Sequence, residues 1–433
     1  MPGVAVVVVL LLAWAAPAQA ALPAETIKTR QRYFGAENVD AATGTVRRDK
    51  VILSWFGVTN FAMAIRGHVV LLDAWVPRGA SSRYVPSSPE ELARLAPELI
   101  FIGHAHFDHA ADATPIALAS GATIVGNAEQ CAELQSRALA MPPRCVSALP
   151  AGAPPGTTAA VGALRGVGVT IVKHLHSAST PPGNDPTGFH VPVLPPPSTT
   201  QLEHPPTPED LVHLLGHISD AEAGTVLYRF AVGDFALVWN DSAGPLIDRA
   251  PGTLDALRAL RPADVHVGAI QGFNQFLNGM RDARQYIEAV GAPLFIPSHH
   301  DDWAVGITTK GENYRAPLDA ELARIPAARR PQVRFISDPA DYVRPLVFAV
   351  ALEPVVLTRR CIGGGRLRVA LRGDTADVSS ASLRLGATRR RGPVATFSRA
   401  TVRRGGRLRA VVVEAGVRRT LRRSLPSCGL RAS

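Results

Sequence analysis

From Val51 onward, short apolar runs alternate with amphipathic ones. Val51–Gly57 and Phe61–Ala74 are β-rich, and what precedes them reads as a short polar lead-in. Ser88-Pro89-Glu90-Glu91 is a helix-start pattern, with a capping residue and Pro at the first helical position, so a helix is expected over Glu90–Leu95. Leu99-Ile100-Phe101-Ile102-Gly103 then reads as a buried strand. Further on, strand-like Thr123–Gly126, Val167–Val172, Val265–Ile270 and Leu294–Pro297 are interleaved with helical Ala128–Leu139, Leu254–Leu260 and Met280–Val290. This alternation predicts an α/β layered domain rather than a pure sandwich or a helix bundle.

Two stretches break the pattern. Residues 177–207 are dense in Pro and have no period, which reads as a long surface loop or lid inserted into the domain. Beyond Leu357 the helical signals give way to alternating strands, Leu367–Leu371, Ser382–Leu385 and Leu408–Val413, joined by Gly turns. The expected organisation is a layered domain over 21–355 and a small β-sandwich over 356–433.

The amino-terminal run Val4–Ala16 is too short to span a bilayer. Followed by Ala18-Gln19-Ala20, it reads as a signal peptide cut after Ala20, although no Lys or Arg precedes it. The expected location is therefore secreted or in the cell envelope. An oxidising compartment lets the four cysteines pair, and chain order favours Cys131–Cys145 and Cys361–Cys428. Hydrophobic content of 46% and mean hydropathy of +0.09 exclude a largely disordered chain. The net charge of +10 is uneven: Arg359–Arg431 holds nineteen Arg against Asp374, Asp377 and Glu414, a local +16. Such a segment suits anionic cell-wall or membrane polymers, with no signal for a specific nucleic acid. With four Lys in the whole chain, an arginine-rich coding bias is the plain alternative.

The chemistry is concentrated in His104-Ala105-His106-Phe107-Asp108-His109, directly after an apolar strand. Alternate residues of an extended segment project the same way, so His104 and His106 can converge, and imidazole with carboxylate is a divalent-metal donor set. His190, His204, His213, His217 and His266 carry no such context and read as surface or core residues. Asp301 and Asp302 are candidates for fixing imidazole tautomers beside His299 and His300, and Trp239 and Trp303 for a hydrophobic wall.

The HxHxDH pattern resembles the signature of the metallo-β-lactamase superfamily, and four later motifs follow in that family's order. Asp73 ends Val69-Val70-Leu71-Leu72-Asp73; Val172-Lys173-His174-Leu175-His176 offers a third His; Trp239-Asn240-Asp241 offers a bridging Asp, with Asn240 where the family usually has Gly; Pro297-Ser298-His299 offers the last His. The resemblance implies an αββα sandwich over roughly 45–345 with two divalent ions, zinc first and iron or manganese as alternatives. One ion would be held by His104, His106 and His176, the other by Asp108, His109 and His299, with Asp241 bridging. His174 and His300 remain alternatives to His176 and His299. The implied activity is hydrolysis of an ester-type bond in a small-molecule or lipid-like substrate (phosphodiester, lactone or related carboxylic ester) by a metal-bound hydroxide. Asp108 would be the catalytic proton carrier. A different class of reading, a secreted binding protein attached through its Arg-rich end, also stands at this point.

Overall fold

The computed structural model describes residues 21–77, 85–138, 141–179, 183–196, 205, 207–304, 308–376, 378–414, 417–426 and 428. The apolar leader and its expected cut at Ala20 lie outside the described residues. Pro23–Leu352 forms one compact unit, and the chain from Glu353 belongs to a second.

In the larger unit, strands β1 (Lys50–Trp55), β2 (Phe61–Ile65), β3 (His68–Leu72), β4 (Leu99–Phe101), β5 (Thr123–Gly126) and β6 (Cys145–Ser147) build most of one sheet. Strands β7 (Thr158–Val161), β8 (Gly168–His174), β9 (Thr225–Val232), β10 (Phe235–Asn240), β11 (Val265–Ala269), β12 (Leu294–Ser298) and β13 (Gln332–Val333) build the other, and β14 (Pro345–Ala349) returns to the first. The orders are β14-β1-β2-β3-β4-β5-β6 and β13-β12-β11-β10-β9-β8-β7. Residues of both sheets share the largest apolar cluster, for example Leu53, Val70 and Ile100 with Ile171, Tyr228 and Leu237. A second cluster joins Val172, Leu227, Val238 and Phe295 to the helix-borne Tyr286, Leu318 and Leu322. Helices thus cover sheets that face each other, an αββα sandwich.

Several local readings change. Phe61–Ala74 is a hairpin rather than one strand. Its turn, Arg66-Gly67, has both φ values positive (52° and 83°), as a tight two-residue connection requires. The lead-in is a helix, Ala24–Phe34, that buries Tyr33 and Phe34. Its Arg30 donates to the carbonyls of Leu95 (2.9 Å) and Gly44 (3.0 Å), so packing supplies what a polar sequence did not announce. Ser88 caps the helix Pro89–Arg94 by accepting from Glu91 N (3.2 Å). The reciprocal half of the capping box is replaced by contacts from Glu91 to Arg32 and Tyr33.

Parallel pairing of β3-β4-β5-β6 and of β10-β11-β12-β13 sets their carboxyl ends side by side. Such ends are where α/β sheets assemble sites. The described part of the Pro-rich insertion has no helix or strand before Pro208. A buried cluster pins it. His190 lies 3.0 Å from Asp185 and 2.9 Å from Glu321, and Arg284 bridges Glu321 (2.7 Å) and Asp185 (3.0 Å).

In the second unit, β16 (Arg366–Arg372) pairs with β15 (Val356–Ile362) on one side and β19 (Val394–Phe397) on the other. The strands β17 (Val378–Leu385), β18 (Thr388–Arg391), β20 (Leu408–Glu414) and β21 (Val417–Arg423) form the other sheet in the order β18-β17-β20-β21. Leu367, Val369 and Phe397 meet Leu383, Ala410 and Val412 in one core. Disulfides join Cys131 to Cys145 and Cys361 to Cys428.

Candidate metal centre

Each chemistry-bearing side chain leaves the carboxyl end of a strand: Asp73 from β3, the His104–His109 turn from β4, His176 just past β8, Asp241 from β10, Gln271 past β11 and His299 from β12. Three residues there, Val58, Asp73 and His299, have φ between 53° and 59° without being Gly. For β-branched Val58 this is costly backbone, and it persists because partners over-determine it. Val58 N donates to both oxygens of Asp301 (2.9 and 3.2 Å), and Val58 O accepts from His299 N (2.9 Å).

His104, His106 and His176 place one ring nitrogen each within 4.8 Å of one another, with ring centroids 4.6–4.8 Å apart. His176 is fixed by its Nδ1 hydrogen bond to Ser177 O (2.7 Å). His174 turns into the helical layer instead, where Nδ1 meets Tyr286 Oη at 2.9 Å, and burial lowers its pKa to about 4. On the other side, Asp108 Oδ2 lies 3.2 Å from His109 Nε2 and 3.3 Å from His299 Nε2. His299 Nδ1 is held by Gln271 Oε1 (2.7 Å). His300 points away: Nε2 bonds Pro297 O (3.0 Å), and its ring packs on Phe335 and Trp55. Geometry therefore brings His176 and His299, and neither neighbour, to the cluster. Asp241 closes it with Oδ2 2.6 Å from His104 Nδ1 and 3.4 Å from His109 Nδ1.

Asp73 is the orienting residue of this centre. Its Oδ1 accepts from Gly103 N (2.9 Å) and its Oδ2 from Thr59 Oγ1 (2.7 Å), with His109 Nδ1 at 2.7 Å. Asp301 touches no imidazole; it binds Val58 N and Tyr342 Oη (2.6 Å), so it shapes the loop under His299 rather than a tautomer. Asn240 turns toward His266 Nε2 (2.6 Å) and Ser242 O (2.9 Å), which explains how a side chain fits before Asp241. His266 and His190 are buried core groups as expected, His213 and His217 lie on a partly exposed helix, and His204 is outside the described residues. Trp239 is core, donating Nε1 to Thr59 O (3.2 Å), while Trp303 stands 5.6 Å from His299 in a wall with Trp75 and Phe107. Thr59 and Gln271 were not singled out in the sequence. Gln271 could have been, since it follows an apolar strand as the other site residues do.

The electrostatics are those of a cation site. Burial, and then neighbouring imidazoles, hold the pKa values of His104 and His176 well below the usual imidazole range, so both present neutral lone pairs. Burial also disfavours the charge on His109, yet Asp108 and Asp73 hold its pKa well above that range. Burial first, and the Asp241 charge second, push Asp73 up to about 7. His104 Nε2 and Asp241 Oδ1 are buried with no hydrogen-bond partner. Buried polar atoms are rarely left so. A divalent cation fits the donor set, the spacing and the orphaned atoms together.

No family model matches the chain. It is 38% identical over 87 residues to a UPF0173 metal-dependent hydrolase of Pyrobaculum neutrophilum, covering 20% of this chain and 37% of that protein. A UPF0173 metal-dependent hydrolase of Polynucleobacter asymbioticus is 28% identical over 221 residues, 50% of this chain and 66% of that one. The chain thus spans between about a third and two thirds of the length of these relatives. Among solved structures, the metallo hydrolase Igni18 of Ignicoccus hospitalis aligns over 70% of this chain and all of its own, at 14% identity and a TM-score of 0.45. The unit Pro23–Leu352 is an αββα sandwich, and the chain is similar over part of its length to UPF0173 metal-dependent hydrolases.

Proposed function

We infer that this chain is an exported metal-dependent hydrolase that cleaves an ester-type bond, either a phosphodiester, a lactone or a related carboxylic ester. The observation that carries the reading is the convergence of six site residues and Asp241 on one cluster, within which His104 Nε2 and Asp241 Oδ1 are buried without a hydrogen-bond partner. His104, His106 and His176 would hold one divalent ion and Asp108, His109 and His299 a second, with Asp241 between them; zinc is the first candidate. Two such ions, when bound, would supply Lewis acidity that lowers the pKa of water toward ~7 and polarises the substrate's oxygen.

The chain's own groups do the rest. Asp108 Oδ2 is engaged by His109 and His299, and Oδ1 has no partner among the described residues, so it can accept a proton from the attacking water and pass it to the leaving oxygen. Asp73 and Thr59 fix His109, and Gln271 fixes His299, so the carboxylate is aimed before substrate arrives. Trp303, Phe107 and Trp75 wall off one side and exclude water there. Two disulfides support export, because such bridges persist in oxidising compartments.

The test is metal content by plasma mass spectrometry on protein from residue 21, purified without chelator, followed by turnover of aryl phosphodiesters and lactones. About two metals per chain and turnover lost in D108A are expected. Metal-free protein after reconstitution, or full activity in D108A, would overturn the assignment.

A further inference from the structure

In the sheet β18-β17-β20-β21, residues directly opposite one another share a face. Arg389 is paired with Arg384, Arg384 with Arg409, and Arg409 with Arg422, so one row crossing all four strands is arginine throughout. The neighbouring row on the core side is Arg390, Leu383, Ala410 and Leu421, with Leu383 and Ala410 fully buried. The arginine row therefore faces outward. Arg391 and Arg418 occupy later rows of the same outer face, beside Ser382, Val411 and Val413. The Arg389 Nε hydrogen bond to Ser382 Oγ (2.7 Å) lies along that face.

Six arginines thus share a surface to which these strands contribute no acid. None of the six makes an ion pair among the described residues; the pair Arg419–Glu414 joins other positions of these strands. Adjacent strands lie ~4.8 Å apart, and like charges directly opposite one another destabilise a sheet. A single arginine needs no ligand, but a four-strand row of them is a standing cost in the free protein. Arg384, in the middle, even leaves its Nε buried and unbonded. An array of anions removes that cost.

We propose that this face is a docking surface for an anionic lipid bilayer. A two-dimensional array of phosphate headgroups matches a sheet-borne array of guanidinium groups by charge complementarity. Single-stranded nucleic acid fits less well. The sole aromatic residue from Glu353 onward is Phe397, which is 1% exposed, so no stacking platform is available.

The experiment is flotation of the full chain with phosphatidylcholine vesicles, with and without ~30% phosphatidylglycerol, between ~20 and ~500 mM salt. Binding to the anionic vesicles, absent from neutral ones and weakened by salt, is expected. The triple variant R384Q/R409Q/R422Q should lose about 100-fold in affinity, roughly five-fold per arginine. R384K/R409K/R422K should retain most of it, because charge is what the surface offers. R360Q/R366Q/R372Q removes the same charge from exposed positions of the other sheet and should bind like the parent. Equal loss in the two glutamine triples would overturn the proposal in favour of net charge alone. Failure to float with anionic vesicles at low salt, or displacement from them by duplex DNA in preference to lipid, would also overturn it.

Discussion

Gly272 touches no donor atom, yet it sits between the loops that carry two of them. It follows Gln271, which holds His299, and packs on Ser177, whose carbonyl holds His176. A Cβ at position 272 would lie 2.6 Å from Ser177 Oγ and 2.7 Å from Ser177 Cβ. The hydroxyl can rotate away, but the Cβ cannot. Reaching an ordinary contact of 3.4 Å from 2.7 Å therefore requires about 0.7 Å of separation between the loops. Displacements near 1 Å at a reacting centre cost on the order of 10²-fold in rate. Overpacking itself costs ~1–3 kcal/mol, too little to unfold a core of this size. G272A is expected to remain folded, with a slightly lowered melting temperature. It should bind metal more weakly and turn over about 10- to 100-fold more slowly. Circular dichroism, metal titration against a competing chelator and steady-state kinetics read these three quantities. Parental metal affinity and kcat in folded G272A would refute the claim that the two loops set the distance between the halves of the site.

Other predictions concern neighbours that differ by one or two positions. H299A and H176A should each lower metal stoichiometry toward one per chain by mass spectrometry. H300A and H174A should keep both metals and lower stability instead, by ~3 kcal/mol as for other large buried rings. His68 Nδ1 lies 2.8 Å from Glu98, and that hydrogen bond raises the His68 pKa above 6.5 against partial burial. Its contribution is therefore complete below about pH 6.5 and fades as pH rises through the higher folded value. Because Glu98 is half exposed, H68Q should cost no more than ~1 kcal/mol in denaturant melts at pH 5.5 and less at pH 8.5. Replacing Cys361 and Cys428 by Ser opens a 67-residue span and should destabilise the C-terminal unit by ~4 kcal/mol, with metal content unchanged. E321A would leave Arg284 and His190 short of a buried carboxylate and should cost ~3–5 kcal/mol, seen as earlier proteolysis of the 183–196 segment.

What the sequence determined by itself was local or ordinal. His104–His109 lies within six residues, and an extended segment followed by one helical turn is enough to aim those side chains together. Resemblance to the metallo-β-lactamase signature, matched in motif order, named Asp73, Asp241 and the two His pairs. Of three possible cysteine pairings, the one that chain order favours is the one the structure holds. Tertiary structure alone decided between His174 and His176 and between His299 and His300. A shift of one or two positions past a strand's end changes where a side chain goes, and the outcome depends on its partners: Tyr286 for His174 and Gln271 for His299, both far along the chain, and the adjacent Ser177 for His176. The amino-terminal helix, the return of β14 to β1 and the clamp of His190 between Asp185 and Glu321 depend on contacts across long separations, which leave no periodic trace. The arginine row belongs with these. Composition showed that arginines were many, but register set four of them shoulder to shoulder, because only strand pairing fixes which residues face one another.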